Sequence, residues 1–177
     1  QRKYLLYLGR SERNKRIDLI IDAFSNLDDP DYDLYVTVRL EDLDRRQQTI
    51  VRDNTKIILL GYISEAEKEK VIANCEALVL ASEYEAFGSV LLEASAFRKP
   101  ILCSALEVCK EILNPEGVIF FQNNVTSLVH ALKQFIVTSR EKKMKMGNSN
   151  FSNLEKYSFD KIAKKYYALF KEMDLIE

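Results

Sequence analysis

Two carboxylates eight positions apart, with a glycine between them, are the first chemistry in this chain. Glu85 and Glu93 bracket Ala86-Phe87-Gly88-Ser89-Val90-Leu91-Leu92. The pattern predicts that Glu85 lies in a loop and that Glu93 lies one to two turns into a helix starting near Gly88. A helix start exposes unpaired N–H groups and partial positive charge, which suits an anion. Gly88 has no side chain, so a ligand can approach the backbone there closely. A phosphate on the helix end, with a carboxylate on each side for hydroxyl groups, suits a sugar nucleotide. Acidic residues such as Glu83 and Glu85 are also favourable near a helix start without any ligand, so on these residues alone both readings stay open.

A second group is Gly9-Arg10-Ser11-Glu12-Arg13-Asn14-Lys15-Arg16. Arginine offers a planar fork to phosphate oxygens and lysine a mobile point charge. A solvated basic loop balancing Glu12 would look the same. The loop lacks G-x-G-x-x-G and G-x-x-x-x-G-K-[ST], which removes the dinucleotide fingerprint and the P-loop. The single histidine, His130, sits in a helical pattern away from these loops and reads as structural. Cys103-Ser104 has no histidine base near it in the pattern and is set aside as a nucleophile.

The elements that must position these residues alternate. Residues 4–8, 34–38, 57–60, 78–80, 100–103 and 118–121 read as short apolar strands. Ile17, Ile20, Ile21 and Phe24 follow helical spacing. Residues 41–51 read as a charged helix. Ser64-Glu65-Ala66-Glu67 is a capping box opening a helix that runs to about Asn74. Two helices close the chain, one with the stripe Val125, Leu128, Val129, Leu132 and Ile136, the other with Phe159, Ile162, Ala163, Tyr166, Leu169, Phe170 and Met173. Strands that are apolar throughout, separated by helices, mean an α/β fold: a Rossmann-like, doubly wound parallel sheet of about six strands with helices on both faces. Ligands then sit beyond the carboxyl ends of the strands, in loops 9–16, 61–64, 81–90 and 104–108.

Composition narrows the classes further. The chain has 177 residues, 47% hydrophobic and 30% charged, with Lys plus Arg 26 against Asp plus Glu 27. This is one globular domain, residues 1–177, and the even charge argues against a nucleic-acid partner. Apolar runs such as Ala77-Leu78-Val79-Leu80-Ala81 are far short of the roughly 20 residues of a membrane span. Three cysteines without C-x-x-C spacing argue for a reduced, cytoplasmic setting rather than disulfides or zinc. Lysines 142, 143, 145, 161, 164 and 165 read as solvated helix faces, with contact to an anionic membrane surface as the alternative. The first residue is Gln1 and a strand pattern begins almost at once, so the chain reads as part of a longer protein.

These residues also resemble a known family. Gly9-Arg10 followed by Lys15 is similar to the G-R-x4-K loop of family 4 glycosyltransferases, the retaining GT-B group. Residues 85–94 resemble its E-x7-E signature, and Ala96-Phe97-Arg98-Lys99-Pro100-Ile101 its next segment. The family commonly has glycine where Arg16 stands and often where Arg98 stands. It has a glycine-rich stretch where this chain has Ser104-Ala105-Leu106-Glu107-Val108.

The resemblance implies the C-terminal, donor-binding half of a GT-B enzyme, working with its own N-terminal domain. Arg10 and Lys15 would hold the donor diphosphate, Gly88, Ser89 and Val90 would offer backbone N–H groups to phosphate and sugar, and Gly9 and Phe87 would also contact the substrate. Glu93 would take the ribose hydroxyls, Glu85 the transferred sugar near its reacting carbon, and Tyr62 and Ile63 would flank the base. No cofactor and no divalent metal are implied. The donor would be a nucleotide-sugar, as a UDP-sugar. The acceptor would be a glycan or lipid-linked oligosaccharide of bacterial surface polysaccharide, met at the inner face of the cytoplasmic membrane, with possible peripheral membrane association. A flavodoxin-like signalling module and a sugar-nucleotide epimerase on the same scaffold are the alternatives. Gly9-Arg10 stands where a receiver module needs an acidic pair.

Overall fold

Alternation along the first strand sets up two layers. In β1 (Lys3–Tyr7), Leu5 and Tyr7 turn to one face and Tyr4 and Leu6 to the other, and all four are buried. The computed structural model describes residues 2–27 and 31–173. After β1 come α1 (Ile17–Ser25), β2 (Tyr32–Val36), α2 (Arg45–Asp53), β3 (Ile57–Leu59), α3 (Glu65–Asn74), β4 (Ala77–Leu80), α4 (Ser89–Ala96), β5 (Ile101–Ser104), α5 (Glu107–Ile112), β6 (Val118–Phe121), α6 (Val125–Val137), α7 (Arg140–Asn153) and α8 (Phe159–Glu172). The six strands form one parallel sheet in the order β3-β2-β1-β4-β5-β6. This is the doubly wound sheet that the alternation predicts.

One apolar layer joins Leu5, Tyr7 and Val79 to Ile20, Ile21 and Phe24 of α1 and to Leu128, Leu132 and Phe135 of α6. The other joins Tyr4, Leu6 and Leu80 to Ile72 of α3, Leu91 and Ala94 of α4, and Cys109 and Ile112 of α5. Each such aliphatic side chain, fully buried, contributes about 1.5–3 kcal/mol.

Several boundaries differ from the sequence expectation. The helix expected over residues 41–51 begins only at Arg45, because Asp44 caps it: its side chain accepts from Gln47 N at 2.8 Å while the Gln47 side chain accepts from Asp44 N at 3.0 Å. The Ser64 box forms as expected, with Glu67 accepting from Ser64 N at 2.8 Å. The loop expected at residues 104–108 already runs into α5 at Glu107.

Three helices rather than two close the chain, and α7 is the addition. It is seated by close approach instead of an apolar stripe. A Cβ on Gly147 would lie 1.8 Å from the Arg98 carbonyl oxygen. Asn150 donates to the carbonyls of Lys99 (2.9 Å) and Gly117 (2.8 Å). Lys143 is not simply solvated: its ammonium donates to Tyr32 Oη at 2.9 Å and lies over the Phe135 ring. The apolar residues of α8 do lie on a helix, but none of them is buried; Phe159 is 88% exposed and Tyr166 57%. Among the described residues, no helix is long and apolar enough to cross a membrane.

Candidate functional site

The strand order dictates where a cleft opens. β1 leads away to β2 on one side and its other neighbour β4 leads away to β5 on the other, so the loops after β1 and β4 part at their carboxyl ends. Those are the basic loop and the loop carrying Glu85.

The basic loop is held from below. Tyr7, buried in β1, donates its phenol to the Arg10 carbonyl at 2.7 Å. Burial pushes that phenol's pKa up, and the charges of Glu85 and Glu12 add to the push. Thr37 Oγ1, just past β2, accepts from Gly9 N at 3.1 Å. A single 3-10 turn, Arg13–Lys15, then ends at Arg16, whose backbone is left-handed (φ 50°, ψ 44°). This is the position where the resembling family commonly has glycine, and an L side chain there costs roughly 1–2 kcal/mol.

Three contacts join this loop to the β4–α4 loop. Lys15 Nζ meets Glu85 Oε1 at 2.8 Å, and Ser82 donates to the same oxygen at 2.7 Å. The Arg16 guanidinium meets Glu83 at 2.6 Å while its Nε holds Asp18 at 3.0 Å. Glu83 N donates to the Asn14 carbonyl at 2.8 Å. Asp18 first, then Glu83, make the Arg16 proton harder to lose, against the opposing effect of burial. Arg10 reaches outward, 84% exposed in its side chain, with Glu12 at 3.1 Å.

Across the opening, Gly88 takes φ 71° as N-cap of α4, and a Cβ there would also meet Leu91 at 2.9 Å. No side chain caps this helix end, and the first-turn N–H groups of Ser89 and Val90 have no place in the helical ladder. One turn further, Glu93 meets Lys68 Nζ of α3 at 3.3 Å. Lys68 also meets Glu65 at 2.7 Å; that bond chiefly raises its pKa, with burial opposing and Glu93 assisting. At the rim, Arg39 lies 4.2 Å over the Tyr62 ring, and a hydrogen bond to Asp42 raises the Tyr62 phenol's pKa.

These parts enclose one cavity of about 640 Å³. Gly9, Arg10, Lys15, Tyr62, Ile63, Glu85, Gly88, Ser89, Val90 and Glu93 all line it. Phe87, the remaining residue expected there, turns away and packs edge-on against Tyr157, with ring centroids 6.1 Å apart. Thr37, Glu65 and Lys68 line the cavity but escaped the sequence reading. Lys68 lies four residues after the Ser64 cap, so the capping box placed it on a helix, but nothing local showed which wall that helix faces. Ser104 stays below, buried, its hydroxyl on the Leu80 carbonyl at 3.3 Å. The volume is that of a small-molecule site. Arg10 and Lys15 line one part of this cavity, the α4 helix end faces it from across the opening, and Glu85 and Glu93 stand among the lining carboxylates. Cations, a helix end and carboxylates together are complementary to a diphosphate carrying hydroxylated rings.

Comparison with known proteins gives the family and the fold. The family model described as "Glycosyl transferases group 1" matches residues 1–152. The glycosyltransferase MJ1607 of Methanocaldococcus jannaschii is 27% identical over 176 residues, covering 96% of this chain and 45% of its own. The Campylobacter jejuni N-acetylgalactosamine-N,N'-diacetylbacillosaminyl-diphospho-undecaprenol 4-alpha-N-acetylgalactosaminyltransferase is 24% identical over 167 residues, covering 90% and 44%. The structure of Anabaena HepE in complex with UDP and glucose has the same fold, with a TM-score of 0.83 at 14% identity over 97% of this chain and 48% of that one. The chain spans about half the length of these relatives.

Proposed function

The chain belongs to the group 1 glycosyl transferases, and on that premise we propose that residues 1–177 are the donor-binding half of a retaining, family 4 enzyme that uses a UDP-sugar. One observation carries the reading: a single cavity gathers Arg10 and Lys15 from the loop after β1, Glu85 and the Gly88 turn from the loop after β4, and Glu93 from α4. In the proposed complex, Arg10, Lys15 and the first-turn amides of α4 hold the diphosphate. Glu93 takes the ribose hydroxyls, Tyr62 and Ile63 flank the base, and Glu85 faces the transferred sugar.

Transfer breaks the bond between the anomeric carbon and the diphosphate oxygen, and the electron pair leaves on the diphosphate. Fixed positive groups stabilise that developing charge more than the ground state, and so lower the barrier. Lys15 and the helix end supply this charge without a divalent metal. Lys15 is paired with Glu85. An incoming phosphate takes over the lysine and frees Glu85 for the sugar.

The acceptor and the second wall of the active site belong to the rest of the full-length protein. The exposed apolar row of α8 suits a surface that this other half covers. The acceptor in this reading is lipid-linked, which the name of the Campylobacter relative supports by specifying a diphospho-undecaprenol substrate, and it is met at the inner membrane face. A donor screen on the full-length protein, with and without EDTA, tests the reading. Sugar release or transfer from a UDP-sugar, unchanged by EDTA, is expected. Activity with no nucleotide-sugar refutes it, and loss of activity in EDTA refutes the metal-free part.

A further inference from the structure

Arg16 does not line the donor cavity, yet it is bonded more densely than any cation that does. Its side chain is 23% exposed. Nε and Nη2 both lie 3.0 Å from Asp18, and Nη1 lies 2.6 Å from Glu83. It sits on the outer side of the seam between the basic loop and the β4–α4 loop, facing a second, polar hollow shared with Asp18, Asp44 and Gln47. The inner side of the same seam is the Lys15–Glu85 pair. Between them runs the backbone bond from Glu83 N to Asn14 O. Glycine would satisfy the left-handed backbone at this position without strain, so what an arginine adds here is its guanidinium.

We propose that Arg16 is a positioning residue: by gripping Glu83 and Asp18 it clamps the loop that carries Lys15 to the loop that carries Glu85. The proposal deepens the donor reading and rests on it for the place of the diphosphate. When phosphate takes Lys15 from Glu85, the inner pair opens. The outer pair touches no substrate and stays closed, so the two loops keep their spacing through binding and release. A bidentate fork on one carboxylate and a second bond to another fix direction as well as distance, which a lysine cannot do.

The test compares wild-type full-length protein with Arg16→Gly, Arg16→Lys and Glu83→Gln. Two readouts are taken: amide hydrogen exchange at Lys15 and Glu83, and calorimetric titration with UDP, GDP and the matching nucleosides. Arg16→Gly relieves the backbone strain, so its melting temperature is expected to hold or rise. Exchange at both amides should quicken about tenfold in Arg16→Gly and Glu83→Gln as the seam opens locally. The diphosphate should bind about tenfold more weakly, with nucleoside binding unchanged. Arg16→Lys should fall between. Unchanged exchange in both variants overturns the clamp, whatever the nucleotides do. Faster exchange with unchanged UDP affinity, or with equal loss for UDP and uridine, overturns the positioning role. Wild-type protein that binds neither UDP nor GDP overturns the donor reading and the positioning role together, while the exchange data still decide the clamp.

Discussion

Arg16 and Arg98 share the same unusual backbone, with φ of 50° and 54°, and use it differently. Arg16 lies between a 3-10 turn and α1, under the cleft, and its partners are the carboxylates of Asp18 and Glu83. Arg98 lies where α4 gives way to β5. Its guanidinium lies over the Phe151 ring, 3.6 Å from the centroid, and donates to Asn148 at 3.2 Å, both on α7. Its carbonyl is the wall against which Gly147 is pressed. The local strain is the same order at both, roughly 1–2 kcal/mol. One is offset by charges beside the proposed donor cleft, the other by a ring and an amide in a helix seam. A strained residue is therefore no pointer to function by itself; the partners its side chain reaches tell the two apart.

The sharpest way to separate the two corners is a crossed pair of variants. Lys15→Ala beside Arg16 should lower turnover of the full-length enzyme about a hundredfold or more, with the circular dichroism spectrum of the native fold retained. Gly147→Ala beside Arg98 should do the reverse. Its new methyl meets a carbonyl, and a loss of about 3 kcal/mol lowers the melting temperature by roughly 6–12 °C while UDP affinity stays at the wild-type value. A normal rate in the first, or a normal melt in the second, removes the division.

A smaller effect is expected at Arg98 itself. Arg98→Gly loses a cation–π contact worth about 0.5–1 kcal/mol and sheds comparable backbone strain. Its melting temperature should stay within about 3 °C of wild type and its UDP affinity should not change. Weakened UDP binding there would make the two corners functionally alike.

A separate effect appears only at high pH. Cys75, whose carbonyl accepts from Lys99 at 2.9 Å, is buried, and burial pushes its thiol up to about 12 from 9. The folded state thus keeps a proton that the unfolded chain gives up. That stability is fully present below pH 9 and is lost as pH climbs towards 12, by up to about 1.4 kcal/mol per unit. Urea melts of wild type and Cys75→Ala at pH 8 and 10.5 should converge as pH rises; a constant gap would contradict this.

Much of the scaffold and most of the cleft could be read beforehand because they are written in local patterns. Apolar runs named all six strands, and a glycine flanked by glutamates at fixed spacing named the helix end. What escaped was written in geometry. α7 buries Met146, Gly147 and Asn150; a helix seated by a glycine and side-chain amides shows no apolar stripe. α5 is six residues long and its N-cap, Leu106, makes no side-chain bond, so it carries no start signal. Arg16 and Arg98 stand where the resembling family often has glycine, but an arginine side chain by itself gives no sign of a positive φ. Phe87 was placed in the cleft by its neighbours in the motif, whereas its ring follows Tyr157. Lys68, more than fifty residues along the chain from Arg16 of the basic loop, enters the cleft from a helix, a proximity only the tertiary fold creates.

The phenol of Tyr7 rises from the sheet interior to the Arg10 carbonyl, and so acts as a strut whose length sets how high the basic loop rides. The consequence concerns where faults in this domain would surface. Trimming that strut to phenylalanine removes one oxygen from a strand residue with no exposure to solvent, yet the guanidinium above it would lose its footing. A survey of core substitutions would then record a ligand defect at a residue that no contact map of the ligand contains.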